Sequence, residues 1–74
     1  MMTSEEILDL IDKLDSKIEE LDEQIDNQQF KVNSSDGEVK ERRIVQLNQY
    51  KSEKYRINNI IKQHLDNLRK LENG

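Results

Sequence analysis

The sequence predicts an all-α fold: a two-helix antiparallel coiled-coil hairpin, which we expect to dimerise into a four-helix bundle. Two long segments repeat apolar residues at alternating spacings of three and four, as helices that pack along a seam do. A short stretch around Gly37, the only glycine before Gly74, separates them, and the chain has no proline. Residues 1–74 are short enough to form one domain. We predict helix 1 at about residues 3–28, a turn at about 29–35 and helix 2 at about 36–72.

Helix 1 carries an unbroken apolar seam. Thr3 and Glu6 have the spacing of a capping box, in which a threonine side chain accepts a hydrogen bond from the third helical residue. The seam weakens where the heptad reaches Gln28, so the helix is expected to end there. The seam residues, which form the first half of the predicted hairpin core, are Ile7, Ile11, Leu14, Ile18, Leu21 and Ile25.

The central stretch FKVNSSDGEVKERR, residues 30–43, admits three structures. A turn between two helices is favoured because Ser35 and Glu38 have the capping-box spacing that would start a second helix. The Asp36-Gly37 pair between short apolar flanks also fits a β-hairpin, and a continuous helical rod is the third alternative. If the stretch is a turn, we expect Phe30 and Val32 to close one end of the core.

Helix 2 carries a second seam, in which polar residues interrupt the apolar ones. Arg43, Lys54 and His64 occupy seam positions, where lysine and arginine can extend their charged ends to the solvent. The apolar residues that complete the predicted hairpin core are Leu47, Tyr50, Ile57 and Ile61.

The charges predict how the helices meet. Residues 1–30 carry ten acidic residues against two lysines, a net charge of −8, whereas residues 31–74 carry ten basic against six acidic, a net charge of +4. Flanks of opposite charge and the same angular sense come together only in an antiparallel pair, which favours a hairpin. The acidic flank is Asp12, Asp15, Glu19, Asp22 and Asp26, and the basic flank is Lys40, Lys51, Lys54, Lys62 and Arg69.

The register follows from the position of the turn. A turn centred near Asn33 places Ile25 level with Arg43 and Ile7 level with Ile61. Helix 2 would then extend about 15 Å past helix 1, at 1.5 Å per residue. The apolar residues of this open end are a predicted oligomer interface, although helix 2 could instead swap between subunits. They are Leu8, Leu10, Ile60, Leu65, Leu68 and Leu71.

Several classes of function lack the residues they need. The chain has no cysteine and His64 is its only histidine, so we expect no metal and no cofactor. It has no glycine-rich phosphate loop and no nucleophile paired with a base, so we expect no enzyme. The net charge of −4 argues against nucleic-acid binding. No apolar run reaches the ~18 residues of a membrane span, and the acidic start is unlike a signal peptide, which predicts a cytoplasmic protein.

The remaining class is protein–protein interaction, with a homodimer and a further protein partner expected. A candidate partner surface joins the acidic flank of helix 1, Asp12, Asp15, Glu19, Asp22 and Asp26, to Ile44 and Tyr55. The layout of two helices around Asp36-Gly37 resembles that of phage head-to-tail joining proteins, which implies a small virion assembly or connector component. Small acidic helical hairpins also resemble phage or mobile-element regulators, which implies an inhibitor that docks an acidic helix onto a host protein.

Overall fold

A computed structural model describes residues 2–73, and within them it shows two helices and no strand. α1 spans Ser4–Asn33 and α2 spans Gly37–Asn73. The helices pack side by side as a hairpin, so of the three alternatives for the central stretch the structure shows the turn. The molecule measures 56 × 16 × 14 Å. Its length is that of α2 alone, because 37 helical residues span about 55 Å. The predicted all-α hairpin is confirmed.

The start of α1 uses the predicted cap. Thr3 has an extended backbone, and its hydroxyl oxygen accepts a hydrogen bond from the Glu6 N–H at 3.2 Å. The same hydroxyl approaches the Glu6 carboxylate at 3.4 Å. Glu5 and Glu6 also place negative charge in the first turn, where it interacts favourably with the helix dipole.

The turn is shorter and later than predicted, because two serines extend α1 to Asn33. The Ser34 hydroxyl donates to the Phe30 carbonyl at 3.0 Å, and the Ser35 hydroxyl donates to the Lys31 carbonyl. These bonds satisfy carbonyls at the end of the helix that would otherwise lack a partner. The expected capping box of Ser35 with Glu38 is therefore wrong, since Ser35 caps the end of α1 rather than the start of α2.

Gly37 begins α2 with a φ of +67°, in the left-handed region that glycine adopts without strain. We expect Gly37→Ala to lower the free energy of unfolding by about 1 kcal/mol, because a β-carbon is disfavoured in this conformation. No atom lies within 4 Å of such a β-carbon, so the loss would come from the backbone alone. Urea denaturation checks this, with Gly37→Asn as the control that loses less. An alanine variant as stable as the wild type would contradict the assigned backbone conformation.

The seam is where the two helices bury their side chains. Nearly all of the described residues that are buried or half-buried occupy seam positions. The only exceptions are Leu10, Asp22 and Ser35. Leu21 is the most deeply buried side chain, at 1% exposure. The buried residues are Ile7, Ile11, Leu21, Val32, Leu47 and Ile57, and the half-buried apolar ones include Leu14, Ile18, Ile25, Tyr50 and Ile61.

The predicted register is wrong by one heptad. The Gln28 side-chain amide donates to the Gln46 side chain at 2.9 Å, and Lys54 pairs with Asp22. Extending the register from these two contacts along the seam gives the remaining layers. Ile18 then lies level with Ile57, Leu14 with Ile61, Ile11 with His64 and Ile7 with Leu68. Helix 2 therefore does not overhang the open end by the expected distance. α1 continues to Asn33 and adds a layer at Val32, and at the open end Leu68 is half-buried rather than free.

Phe30 does not close the core as expected. Its side chain is 73% exposed, whereas Val32 is buried. Because α1 stays helical through both residues, they project about 200° apart, and only Val32 continues the seam.

Candidate functional site

The hairpin has two long faces, one on each side of its seam. In an antiparallel coiled coil, heptad positions b and e of both helices share one side and positions c and g share the other. Two contacts support this assignment: Lys54 reaches Asp22 on the b/e side, and Gln28 reaches Gln46 on the c/g side. We call the first the acid–base face and the second the opposite face.

The acid–base face carries acids on α1 and bases on α2. All the acids are exposed except Asp22, which is half-buried beside Lys54. The α1 residues of this face are Glu5, Leu8, Asp12, Asp15, Glu19, Asp22 and Asp26. The α2 residues are Ile44, Asn48, Lys51, Tyr55, Asn58, Lys62, Leu65 and Arg69, with the acidic Glu41 and Glu72 at the two ends of the helix.

The charged flanks pair across the helices less than the sequence predicts. Within residues 2–73, the ion pair of Lys54 with Asp22 is the only one that joins α1 to α2. The second ion pair, Lys17 with Glu20, lies within α1 and on the opposite face. Most of the charge on the acid–base face is thus directed at solvent, where it can interact with another molecule.

The candidate partner surface lies together on this face. Ile44 and Tyr55 are exposed on α2, and Tyr55 reaches 70% exposure, on the same side as the acidic flank of α1. An exposed aromatic ring surrounded by charge is typical of residues that anchor protein interfaces. The structure therefore brings together residues that the sequence placed on separate helices.

The predicted oligomer interface, in contrast, is divided among three places. Leu8 and Leu65, both exposed, lie at the same height on the acid–base face. Leu10 and Ile60 lie on the opposite face. Leu68 is half-buried in the seam beside Ile7, so it is not free to contact another subunit, and the seam ends at the exposed Leu71.

A side-chain network that the sequence did not predict lies at the loop end. The Gln46 amide, which accepts a hydrogen bond from Gln28, also donates to the Tyr50 hydroxyl at 3.1 Å. Gln28 appeared from the sequence only as a weak seam position. The sequence feature that could have indicated the hydrogen bond between Gln28 and Gln46 is the glutamine at position 46, a g position beside the seam. It is informative only once the register is known.

The described residues show no metal-holding cluster, and their surface hollows are shallow. Across residues 2–73, no group of three or more His, Asp or Glu side chains is arranged to hold a metal ion. The surface hollows described are open grooves, each lined by residues of α2 alone, such as the one beside Tyr55. Neither helix has a stretch apolar and long enough to cross a membrane over the part described.

The fold and its faces define an all-α helical hairpin with a polarised acid–base face. Comparison with protein families, with curated proteins and with solved structures finds no match to this chain.

Proposed function

We propose that this protein is a non-enzymatic interaction module of the cytoplasm, which self-associates as a homodimer of helical hairpins and acts through protein–protein contact. The observation that carries the proposal is the balance of its apolar side chains. Among residues 2–73, six large apolar residues are buried, whereas ten are exposed by more than a third. Two helices bury only the side chains between them, so the apolar residues on the two faces of the hairpin stay exposed. Small domains commonly bury such exposed apolar surface by association.

The thin core supports the same proposal. A single layer of side chains between two helices leaves every layer open to solvent on both flanks, so several seam residues stay half-buried. A four-helix bundle would cover one of these flanks. The chain has no cysteine to stabilise the isolated hairpin with a disulfide.

Sedimentation equilibrium tests the proposal. We expect the purified protein to sediment as a dimer at micromolar concentration and to dissociate on dilution. A monomer at every concentration tested would contradict self-association. Variants that dissect the dimer must avoid the seam: Ile61→Asp and Leu68→Asp place a charge between the two helices of one chain and would unfold the hairpin itself. Ser52→Asp, on the outer surface of α2, is a suitable control.

A second candidate function is supported by the exposed acids of α1. These side chains form a row along one helix, with Asp22 alone paired across the hairpin. Such a row can dock into a basic site of a host macromolecule, as an inhibitor of phage or mobile-element type would. Binding of that kind weakens steeply as salt is raised. Charge reversal at Asp15 and Asp26 that left partner binding unchanged would remove this candidate. Ring formation would instead point to a virion connector.

A further inference from the structure

The acid–base face has a charge pattern that a second copy of the chain would complement. We propose that two hairpins dock through their acid–base faces with the two-fold axis parallel to the helices, so that α1 of each protomer lies over α2 of the other. This inference rests on the self-association proposed above, and adds to it the face and the orientation.

Charge decides between the two symmetric ways of stacking the faces. A two-fold axis parallel to the helices places the acidic α1 on the basic α2 of the other protomer. A two-fold axis that lies in the interface and is perpendicular to the helices places α1 of one protomer on α1 of the other. The two rows of acids then face each other. Like charges set against each other disfavour a complex, whereas complementary rows favour it.

The heights of the charges fit the parallel arrangement. In the observed register Glu5 lies level with Arg69, Asp12 with Lys62, and Asp22 with Lys51. An axis parallel to the helices preserves these heights, so Glu5, Asp12 and Asp22 of one protomer each face a base of the other. The acids of α2 at this face, Glu41 and Glu72, lie beyond the two ends of the acidic row, Glu72 within one helical turn of the height of Glu5.

The apolar side chains of the face also meet in this arrangement. Leu8 and Leu65 are level with each other, at 47% and 43% exposure. Both open ends lie together in the parallel dimer, so four leucines form one cluster. Ile44 adds apolar contact toward the loop end, and Tyr55 near the middle. In this dimer the acid–base pairs determine the orientation of the two protomers, and the leucines contribute most of the buried apolar surface.

The face is large enough for a stable interface. With a molecule 56 Å long and 16 Å wide, one long face offers about 900 Å², close to the roughly 800 Å² per partner of standard interfaces. The opposite face has a similar extent but not the complementarity. There α1 presents Lys13, Lys17 and Lys31 against Glu6 and Glu20, and α2 presents Arg42, Arg56 and Lys70 against Glu53. Both helices are net basic on that face, so neither stacking sets an acidic row against a basic one.

A spin-label distance tests the orientation. Because the chain has no cysteine, Asp36→Cys gives a single labelling site in the exposed turn. We expect a distance on the order of 20 Å between the two labels of a dimer, because packed helices lie about 8–10 Å apart. A distance near the 56 Å length of the molecule would overturn the parallel arrangement while leaving self-association intact.

Neighbouring substitutions test the face. Ile44 lies on the acid–base face, whereas Val45, the next residue, points away from it, and both are exposed. We expect Ile44→Asp to raise the dimer Kd about tenfold, through burial of a charge against apolar surface, and Val45→Asp to leave it within about twofold. Circular dichroism verifies that both variants remain helical.

A second matched pair covers the open end. Leu65→Asp is expected to weaken the dimer as Ile44→Asp does, and Ile60→Asp on the opposite face is expected to leave it unchanged. A dimer sensitive to Ile60→Asp but not to Leu65→Asp would overturn the assigned face, with self-association still standing. A wild-type protein that stays monomeric would overturn both proposals together.

Discussion

Leu21→Ala is expected to lower the free energy of unfolding by about 3 kcal/mol, within the range for truncating a buried leucine. Leu21 lies at the centre of the seam and is 1% exposed, which makes it the best-shielded side chain described. The long, thin hairpin has few neighbours that can move into the space left by the missing methyl groups. Because small domains have only about 5–15 kcal/mol of total stability, this single change removes a large part of it.

Urea denaturation monitored by circular dichroism measures this effect at a fixed protein concentration. Ile60→Ala is the matched control, since Ile60 is an exposed apolar residue on a helix and alanine has the higher helix propensity. We expect the control to change stability by less than about 1 kcal/mol. Equal losses at the two positions would show that the seam is not where the hairpin gains its stability.

Lys54→Leu is expected to raise the melting temperature by roughly 4–8 °C, the shift that about 1 kcal/mol produces in a domain of this size. Lys54 occupies a seam position level with Leu21, and its side chain is only 36% exposed. Leucine would bury apolar surface there in place of a charged chain that must extend to solvent. The lost ion pair with Asp22 subtracts little, since partly exposed pairs contribute about 0.2–1 kcal/mol.

Differential scanning calorimetry measures the shift, and Lys13→Leu is its control. Lys13 is exposed on the opposite face, away from the seam, so leucine there gains no burial. A lower melting temperature for Lys54→Leu would show that the pair with Asp22 stabilises the fold by more than the apolar contact can. It would also indicate that Lys54 helps to select the register, as polar seam residues do in other coiled coils.

The sequence predicts the local structure well because helix signals are local. The cap at Thr3 needs only Glu6 three residues later, and its hydrogen bond forms as expected. The seam from Ile7 to Ile25 needs only the alternating spacing within one segment, and each of its members is buried or half-buried. The antiparallel orientation followed from the sign of the two flanks, although only Lys54 and Asp22 form an ion pair between them.

The register could not be predicted in the same way. Sliding one helix by a heptad returns apolar residues to apolar positions, so the seam pattern is compatible with both registers. The choice depends on how residues 34–36 carry the chain from one helix to the other, which the seam pattern does not contain. The bonds of Ser34 and Ser35 to carbonyls satisfy the end of α1, and in the observed register Leu68 lies in the seam beside Ile7 rather than on a free surface.

The heptad pattern alone thus establishes two helices, their apolar seam and their antiparallel orientation, because each depends on residues close in the chain or on a simple sign of charge. Only the packed hairpin shows which exposed residues share a face. It unites Tyr55 with the acids of α1, separates Leu8 from Leu10, and leaves Phe30 in solvent. The physical reason is geometric. A surface that spans two helices depends on the relative height and rotation of those helices, and the spacing of residues within one helix does not determine either.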